Sequence, residues 1–342
     1  MHDRMTETGI FLGNHKLGIK IAKGLFDYQN PSLEQNLHGI HFKNPVGLSA
    51  GFDKDGKLTG ILPAIGFGFA EIGSVTGREC AGNPKPRLWR LPEERSLVVH
   101  YGLKNEGCEK VAKRLAGKHF EIPIGASIAM TNCPENLDAE KAIKDYVLAF
   151  RALEPFASYL AVNISCPNAE GGQPFSDPKF LDVLLSALDK EKRHCPVFLK
   201  LSPDISEEQT DGILACAEAH KVDGIICTNL TKRRMPISAG HRGMRGGLSG
   251  KAVEGLSNQM LSYVYRKAGK RFILIGSGGI WNAQDAYKKI RLGASLVEMI
   301  TGMIFEGPQL ISEINQELAE LLKKDGFKNI SEAVGVDNSI SN

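Results

Sequence analysis

Residues 272–302 read FILIGSGGIWNAQDAYKKIRLGASLVEMITG and contain one complete copy of the unit that organises the chain. An apolar run at 272–276 ends in a glycine-rich step formed by Gly276, Ser277, Gly278 and Gly279. Helical spacing follows at 283–292, and a second apolar run at 296–300 stops at Thr301 and Gly302. Neither run alternates polar with apolar residues, which fits parallel strands covered on both faces. Working outward, six more such runs occur at 46–48, 69–73, 124–128, 159–164, 197–201 and 224–228. Helical patterns lie between and after them at 57–65, 109–115, 139–153, 179–188, 207–219, 252–267 and 309–323. Eight strand-then-helix units predict an α/β protein with a closed (β/α)8 TIM barrel, although an open doubly wound sheet satisfies the same pattern. The barrel is placed at 39–326, preceded by a short N-terminal helical extension (1–38) and followed by a loose tail (327–342).

The bulk numbers fit one large soluble unit: 342 residues, 42% hydrophobic and 24% charged. A net charge of +3 with scattered basic residues argues against nucleic acid. The seven cysteines include no C-x-x-C pair, so no metal site is expected and a reducing compartment is. No apolar run reaches the ~18 residues of a membrane span, and no secretory signal is visible, so a cytoplasmic protein is expected. In the extension, Leu17, Ile21 and Leu25 share one helical face while Lys16, Lys20 and Lys23 lie elsewhere. Such a helix either covers the barrel floor or lies on an acidic lipid surface beside a quinone pool, at the inner face of the membrane. Oligomeric state is not legible.

The informative polar residues follow the strands, which in a barrel gathers them at the C-terminal mouth where active sites are built. Gly278 and Gly279, then Thr301 and Gly302, end the last two strands, and Ser249 and Gly250 belong to a third glycine-rich turn at 246–250. Three such turns suit a phosphate-bearing ligand held by backbone N–H groups, whereas one alone is only a tight turn. The first strand runs into Ala50, Gly51 and Lys54, a close backbone approach with a cation at its rim, or simply a turn with a surface lysine. Lys200, near the end of the fifth strand, either stabilises anionic charge at the mouth or pairs with a carboxylate. The fourth strand carries Asn163, Cys166 and Asn168 and opens a long loop (169–180) with Gly171 and Gly172 that can close over a substrate. A thiolate there can remove a proton, although most cysteines are packing. Thr228 and Asn229 add an amide from the sixth strand.

At this point the stretches NPVGLSAGFDKDG (44–56), GFGFAEIGSVT (66–76), GNPKPRLWRLP (82–92), NISCPN (163–168), GGLSG (246–250) and GASLV (293–297) resemble the dihydroorotate dehydrogenase family, in family order from about residue 37 onward. The resemblance is greatest to its membrane-associated, quinone-using class. It implies an FMN-dependent oxidoreductase of pyrimidine biosynthesis that oxidises dihydroorotate to orotate. It implies FMN contacts from Ala50, Gly51, Lys54, Ser74, Asn163, Lys200, Thr228, Gly250, Gly279 and Thr301, with Ser127 and Ile300 at two further flavin positions. Substrate contacts fall on Lys54, Asn163, Asn168 and Asn229, with Cys166 as the base and hydride passing to the flavin.

The departures are specific. Cysteine stands where the quinone-using class has serine. Val99 replaces an asparagine, Ser127 another asparagine, and Leu230 and Ala169 replace threonines. Each buried partner left unpaired costs ~1–3 kcal/mol, so a related FMN enzyme acting on a less polar unsaturated substrate is the alternative. A flavin-binding protein without turnover is the third reading. Only one N-terminal helix is placed, against two in that class, while Arg90 matches an arginine near its quinone channel. The electron acceptor (quinone, fumarate, oxygen or a partner subunit) is open.

Overall fold

A computed structural model describes residues 2–338 except 169–171 and 235–236. Eight parallel strands close into a barrel in chain order: β1 (Val46–Leu48), β2 (Phe69–Thr76), β3 (Ile124–Ala129), β4 (Tyr159–Asn163), β5 (Val197–Leu201), β6 (Gly224–Cys227), β7 (Ile273–Ser277) and β8 (Leu296–Met299). β8 returns to β1 with Val297 opposite Val46, which excludes the open sheet. Outside lie α3 (Cys108–Leu115), α4 (Ala139–Leu153), α5 (Pro178–Leu188), α6 (Glu207–Ala219), α7 (Lys251–Ala268), α8 (Ala283–Arg291), α9 (Thr301–Glu306) and α10 (Gln309–Asp325). The side chains of Asp138, Asp177, Ser206 and Asn282 accept from the first-turn N–H groups of α4, α5, α6 and α8, which fixes where those helices start.

Inside the barrel the side chains form two layers. At the floor, Phe42 meets Phe69 edge-on at 5.5 Å and Tyr159 stacks on Phe198 at 5.0 Å. Glycines make room for these rings: a Cβ on Gly125 would lie 2.1 Å from the Tyr159 ring, and one on Gly47 would lie 2.3 Å from Phe69. Two residues further along their strands, Glu71, Lys200 and Glu298 form a charged layer beneath the mouth.

Four expectations need correction. The helix expected at 57–65 is only a short turn, Leu62–Ile65, because the Asp53 carboxylate accepts from the N–H groups of Lys57 and Leu58 and Gly66 turns left-handed. The extension holds two helices, α1 (His2–Gly13) and α2 (Lys16–Phe26), and they flank the mouth rather than the floor. The floor is closed by a hairpin, Gln35–Leu37 with Ile40–Phe42. The glycine turn at 246–250 is largely a strand, Gly247–Gly250, antiparallel to Ser96–Val99, which also pairs with Leu88–Leu91. Finally, the tail is packed as far as 338. Ile330 and Ala333 are buried, the Asn338 amide donates to the Leu292 carbonyl, and Arg291 pairs with Asp337.

Candidate active site

At the C-terminal mouth a cleft is lined by Ala50, Gly51, Lys54, Ser74, Asn163, Cys166, Asn168, Lys200 and Asn229. It continues into a second pocket bounded by Thr228, Ser249, Gly250, Gly278, Gly279, Ile300, Thr301 and Gly302, with Lys200, Asn229 and Ser249 lining both. All but one of the site residues expected from the sequence therefore converge. Ser127 is the exception: it is fully buried behind the wall, where its hydroxyl meets that of Ser74 at 2.7 Å.

The amides are held in one network. Asn163 donates to the Ser74 hydroxyl at 2.8 Å, and its carbonyl oxygen accepts from the N–H and hydroxyl of Ser165 and from Asn229. Asn229 also donates to the Ser165 hydroxyl at 3.0 Å, and Tyr146 donates to the Asn163 backbone carbonyl at 2.8 Å. Asn168 donates to the backbone carbonyl of Val99 at 2.9 Å, so an apolar side chain at that position still anchors the amide through its main chain. Lys54 lies 4.1 Å from the centre of the Tyr101 ring and donates to the Gly51 carbonyl at 2.6 Å. Cys166 is half-buried. The far end of its loop is pinned by Gln173 donating to the Ser165 carbonyl and by Phe175 packed edge-on against Tyr146. Ala169 and Gly171 lie outside the described residues.

The second pocket fits a phosphate. Gly250, Gly278 and Gly279 line the pocket with positive φ, and a Cβ on Gly279 would meet Glu254 at 2.3 Å, so only glycine allows this turn to pack against α7. Helix α9 begins at Thr301, leaving its first N–H groups without helical partners. The hydroxyls of Ser249 and Thr301 meet at 2.9 Å across the pocket.

Lys200 satisfies both readings offered by the sequence, since it lines the cleft and is also paired. Its ammonium donates to Ser49 (2.9 Å), Glu71 (3.1 Å) and Glu298 (3.2 Å), all buried. Two buried carboxylates thus face one buried cation beneath the pocket that Lys200 and Glu298 help to line. Keeping both ionised costs several kcal/mol, whereas protonating one at neutral pH costs ~3 kcal/mol. Protonation wins. Burial first, then the Glu71 charge, push the Glu298 carboxyl up to about 8 against the pull of Lys200. Burial pulls the Lys200 ammonium down, but the charges of Glu298 and Glu71 outweigh it and hold it above its ordinary value.

Several lining residues were not singled out from the sequence: Tyr101, Lys104, and the apolar Leu88, Leu97 and Leu103. They sit on or beside the Ser96–Val99 ribbon, one of whose two partner strands, Gly247–Gly250, is far away in sequence. Glu71 and Glu298 were missed although each lies in an apolar strand run, where a buried acid is itself a signal. Beside the cleft lies an apolar cavity of about 600 Å³ between the extension and the barrel, lined by Leu12, Ala22, Phe26, Leu58, Leu62 and Met303, with Arg90 at its wall. Phe52 and Ile304 line both the cavity and the cleft. Leu17, Ile21 and Leu25 of α2 are 70%, 55% and 67% exposed, so they do not line the cavity but face outward. Among the described residues one group, Asp182, Cys216 and His220, has metal-ligand spacing. Its imidazole is engaged by Asp189 (2.6 Å) and Asp182 (3.0 Å), and burial pushes the Cys216 thiol up to about 11, away from the thiolate a metal needs.

Comparison with known proteins agrees with this geometry. The family described as dihydroorotate dehydrogenase matches residues 32–322. A protein of Christiangramia forsetii named dihydroorotate dehydrogenase (quinone) is 40% identical, covering 87% of this chain and 88% of its own. A protein of Parvibaculum lavamentivorans with the same name is also 40% identical, covering 98% and 95%. Among solved structures, DHODH from Eimeria tenella in complex with ferulenol superposes with a TM-score of 0.85 at 29% identity, covering 95% of this chain and 96% of that one. No helix among the described residues is long and apolar enough to cross a membrane. With the family model matched over residues 32–322 and these relatives matched over most of their length, the chain belongs to the dihydroorotate dehydrogenase family of oxidoreductases.

Proposed function

We propose that the protein oxidises dihydroorotate to orotate in pyrimidine biosynthesis, with FMN held across the two-part cleft. The observation that carries this reading is the convergence of a thiol, a cation and three amides on a cleft continuous with a glycine cradle. Gly250, Gly278, Gly279, Thr301 and Gly302 would hold the phosphate of FMN, and Ala50, Gly51, Ser74, Asn163, Lys200, Thr228, Ser249 and Ile300 would contact the rest of it. When bound, FMN supplies the hydride acceptor. Lys54 holds the substrate carboxylate in a charge-assisted bond. Asn163, Asn168 and Asn229, already fixed by their neighbours, orient the ring without losing much further freedom. The Cys166 thiolate removes the proton from C5. The test is anaerobic addition of dihydroorotate to the FMN-loaded protein. Bleaching of the flavin visible band is expected; none at millimolar substrate refutes the reading.

The acceptor in this reading is a quinone. The apolar cavity reaches the cleft at Phe52 and Ile304, and α2 exposes Leu17, Ile21 and Leu25 together with Lys16 and Lys20, while Lys23 is paired with Glu121; the exposed set suits an anionic membrane surface. A second reading, a less polar unsaturated substrate, is favoured by one observation: Val99, Leu230, Leu88 and Leu97 make one side of the cleft apolar. Comparing flavin reduction by dihydroorotate with that by uncharged ring analogues separates the two.

A further inference from the structure

The layer beneath the cleft holds an unbalanced set of charges. Lys200 has three N–H donors, and all three are spent on Ser49, Glu71 and Glu298. The second oxygen of each carboxylate, Oε2 of Glu71 and Oε1 of Glu298, is buried with no hydrogen-bond partner among the described residues. The Tyr159 hydroxyl rises from the floor towards both carboxylates and can donate to one of them at a time, leaving the other oxygen without a donor. Among the described residues, the charged and titratable groups that meet in this layer are Glu71, Lys200 and Glu298 from β2, β5 and β8 and Tyr159 from β4, with Ser49 at the end of β1. Lys200 also lines both halves of the cleft, so the layer is in direct electrical contact with whatever lies there.

We infer that Glu71, Glu298 and Lys200 act as a proton-sharing triad that, on the alkaline side of neutrality, takes up one proton from solvent when the flavin above it is reduced and gives it back on reoxidation. The inference rests on the FMN reading above and goes beyond it. Two carboxylates and one ammonium have room for a single extra proton, which supplies a donor for the carboxylate oxygen that the Tyr159 hydroxyl leaves unmet. Hydride transfer brings two electrons and one proton to the flavin and leaves one net negative charge near Lys200. That charge repels the triad's spare anion, and a solvent proton on the Glu71–Glu298 pair removes it. On reoxidation the hydride's electrons and proton leave the flavin and the pair releases its proton, so charge and atoms balance over the cycle. With Glu298 already pushed up to about 8, the triad is neutral below that pH and anionic above it while the flavin is oxidised. The extra uptake therefore appears on the alkaline side.

The test is a spectroelectrochemical titration of the FMN-loaded protein over a pH series, for wild type, Glu298→Gln and Glu71→Gln. One proton per two electrons lowers the midpoint about 30 mV per pH unit, and two protons lower it about 60 mV. Wild type is expected to follow the shallower slope at acid pH and steepen above about 8, while Glu298→Gln keeps the shallow slope throughout. The two potentials then coincide at low pH and diverge at high pH, with the variant the higher. Glu71→Gln also leaves one carboxylate for one ammonium and is expected to lose the break, which keeps the test decisive if Glu298→Gln folds poorly. Bound FMN with the same slope in wild type and both variants overturns the triad alone. A protein that binds no FMN overturns the flavin reading and the triad together.

Discussion

The cleft and the cavity beside it share two residues, Phe52 and Ile304, and little else. The cleft is walled by strand ends whose polar groups are cross-braced: Asn163 to Ser74, Asn229 to Ser165, and Asn168 to the Val99 carbonyl. The cavity is walled by aliphatic and aromatic side chains from α1, α2, the turn at Leu62–Ile65 and the start of the α9–α10 segment. Rigid, satisfied amides suit a small polar ring that must be held in one pose. A larger apolar space suits a ligand recognised by burial alone. Two chemistries of opposite character thus meet across two side chains, and damage to one half should leave the other working.

The largest expected effect lies on the apolar side. Changing Leu17, Ile21 and Leu25 together to Glu removes on the order of 1.5 kcal/mol apiece of interfacial burial, roughly tenfold each in membrane partitioning. Sedimentation with anionic vesicles should fall by roughly a thousandfold in partition coefficient, while flavin reduction by dihydroorotate keeps its rate. Equal loss of both would break the separation of the halves. A smaller effect is expected from Val99→Asn, which adds an amide to the apolar side of the cleft. If dihydroorotate is the substrate, the new donor should raise kcat/KM by about 1–2 kcal/mol, roughly tenfold. An unchanged or lower value would favour a less polar substrate. A third effect concerns stability. The Glu298 carboxyl is raised from its ordinary 4.5 to about 8, so the folded state binds the extra proton between those values. That contribution is complete below about 4.5 and is lost as pH rises towards 8. Glu298→Gln should flatten this part of a denaturation-against-pH curve.

The barrel was legible because its signal is local and repeated: each apolar run stops at a polar or glycine-rich step, and the residues at those steps reach the mouth whatever the loops do. Lys54, Cys166, Lys200 and the cradle glycines were found for that reason. What depends on distant pairing was not legible. Gly247–Gly250 becomes a strand only because Ser96–Val99 lies beside it, and Tyr101 and Lys104 reach the cleft only by way of that ribbon. Asp53 undid an expected helix by capping two N–H groups with its own carboxylate, a choice invisible to periodicity. Ser127 shows the limit of resemblance: a shortened side chain at a contact position withdraws behind Ser74. The charged layer was hidden differently, since Glu71 and Glu298 come together only when β8 closes the barrel onto β1.

The most direct test of the account is the stopped-flow rate of flavin reduction by dihydroorotate in Cys166→Ala loaded with FMN. Loss of a positioned base should slow that single step by ~10²–10⁴-fold, with FMN affinity and vesicle binding unchanged. Reduction at the wild-type rate would contradict a proton-abstracting role for the thiol and, with it, the assignment of the cleft.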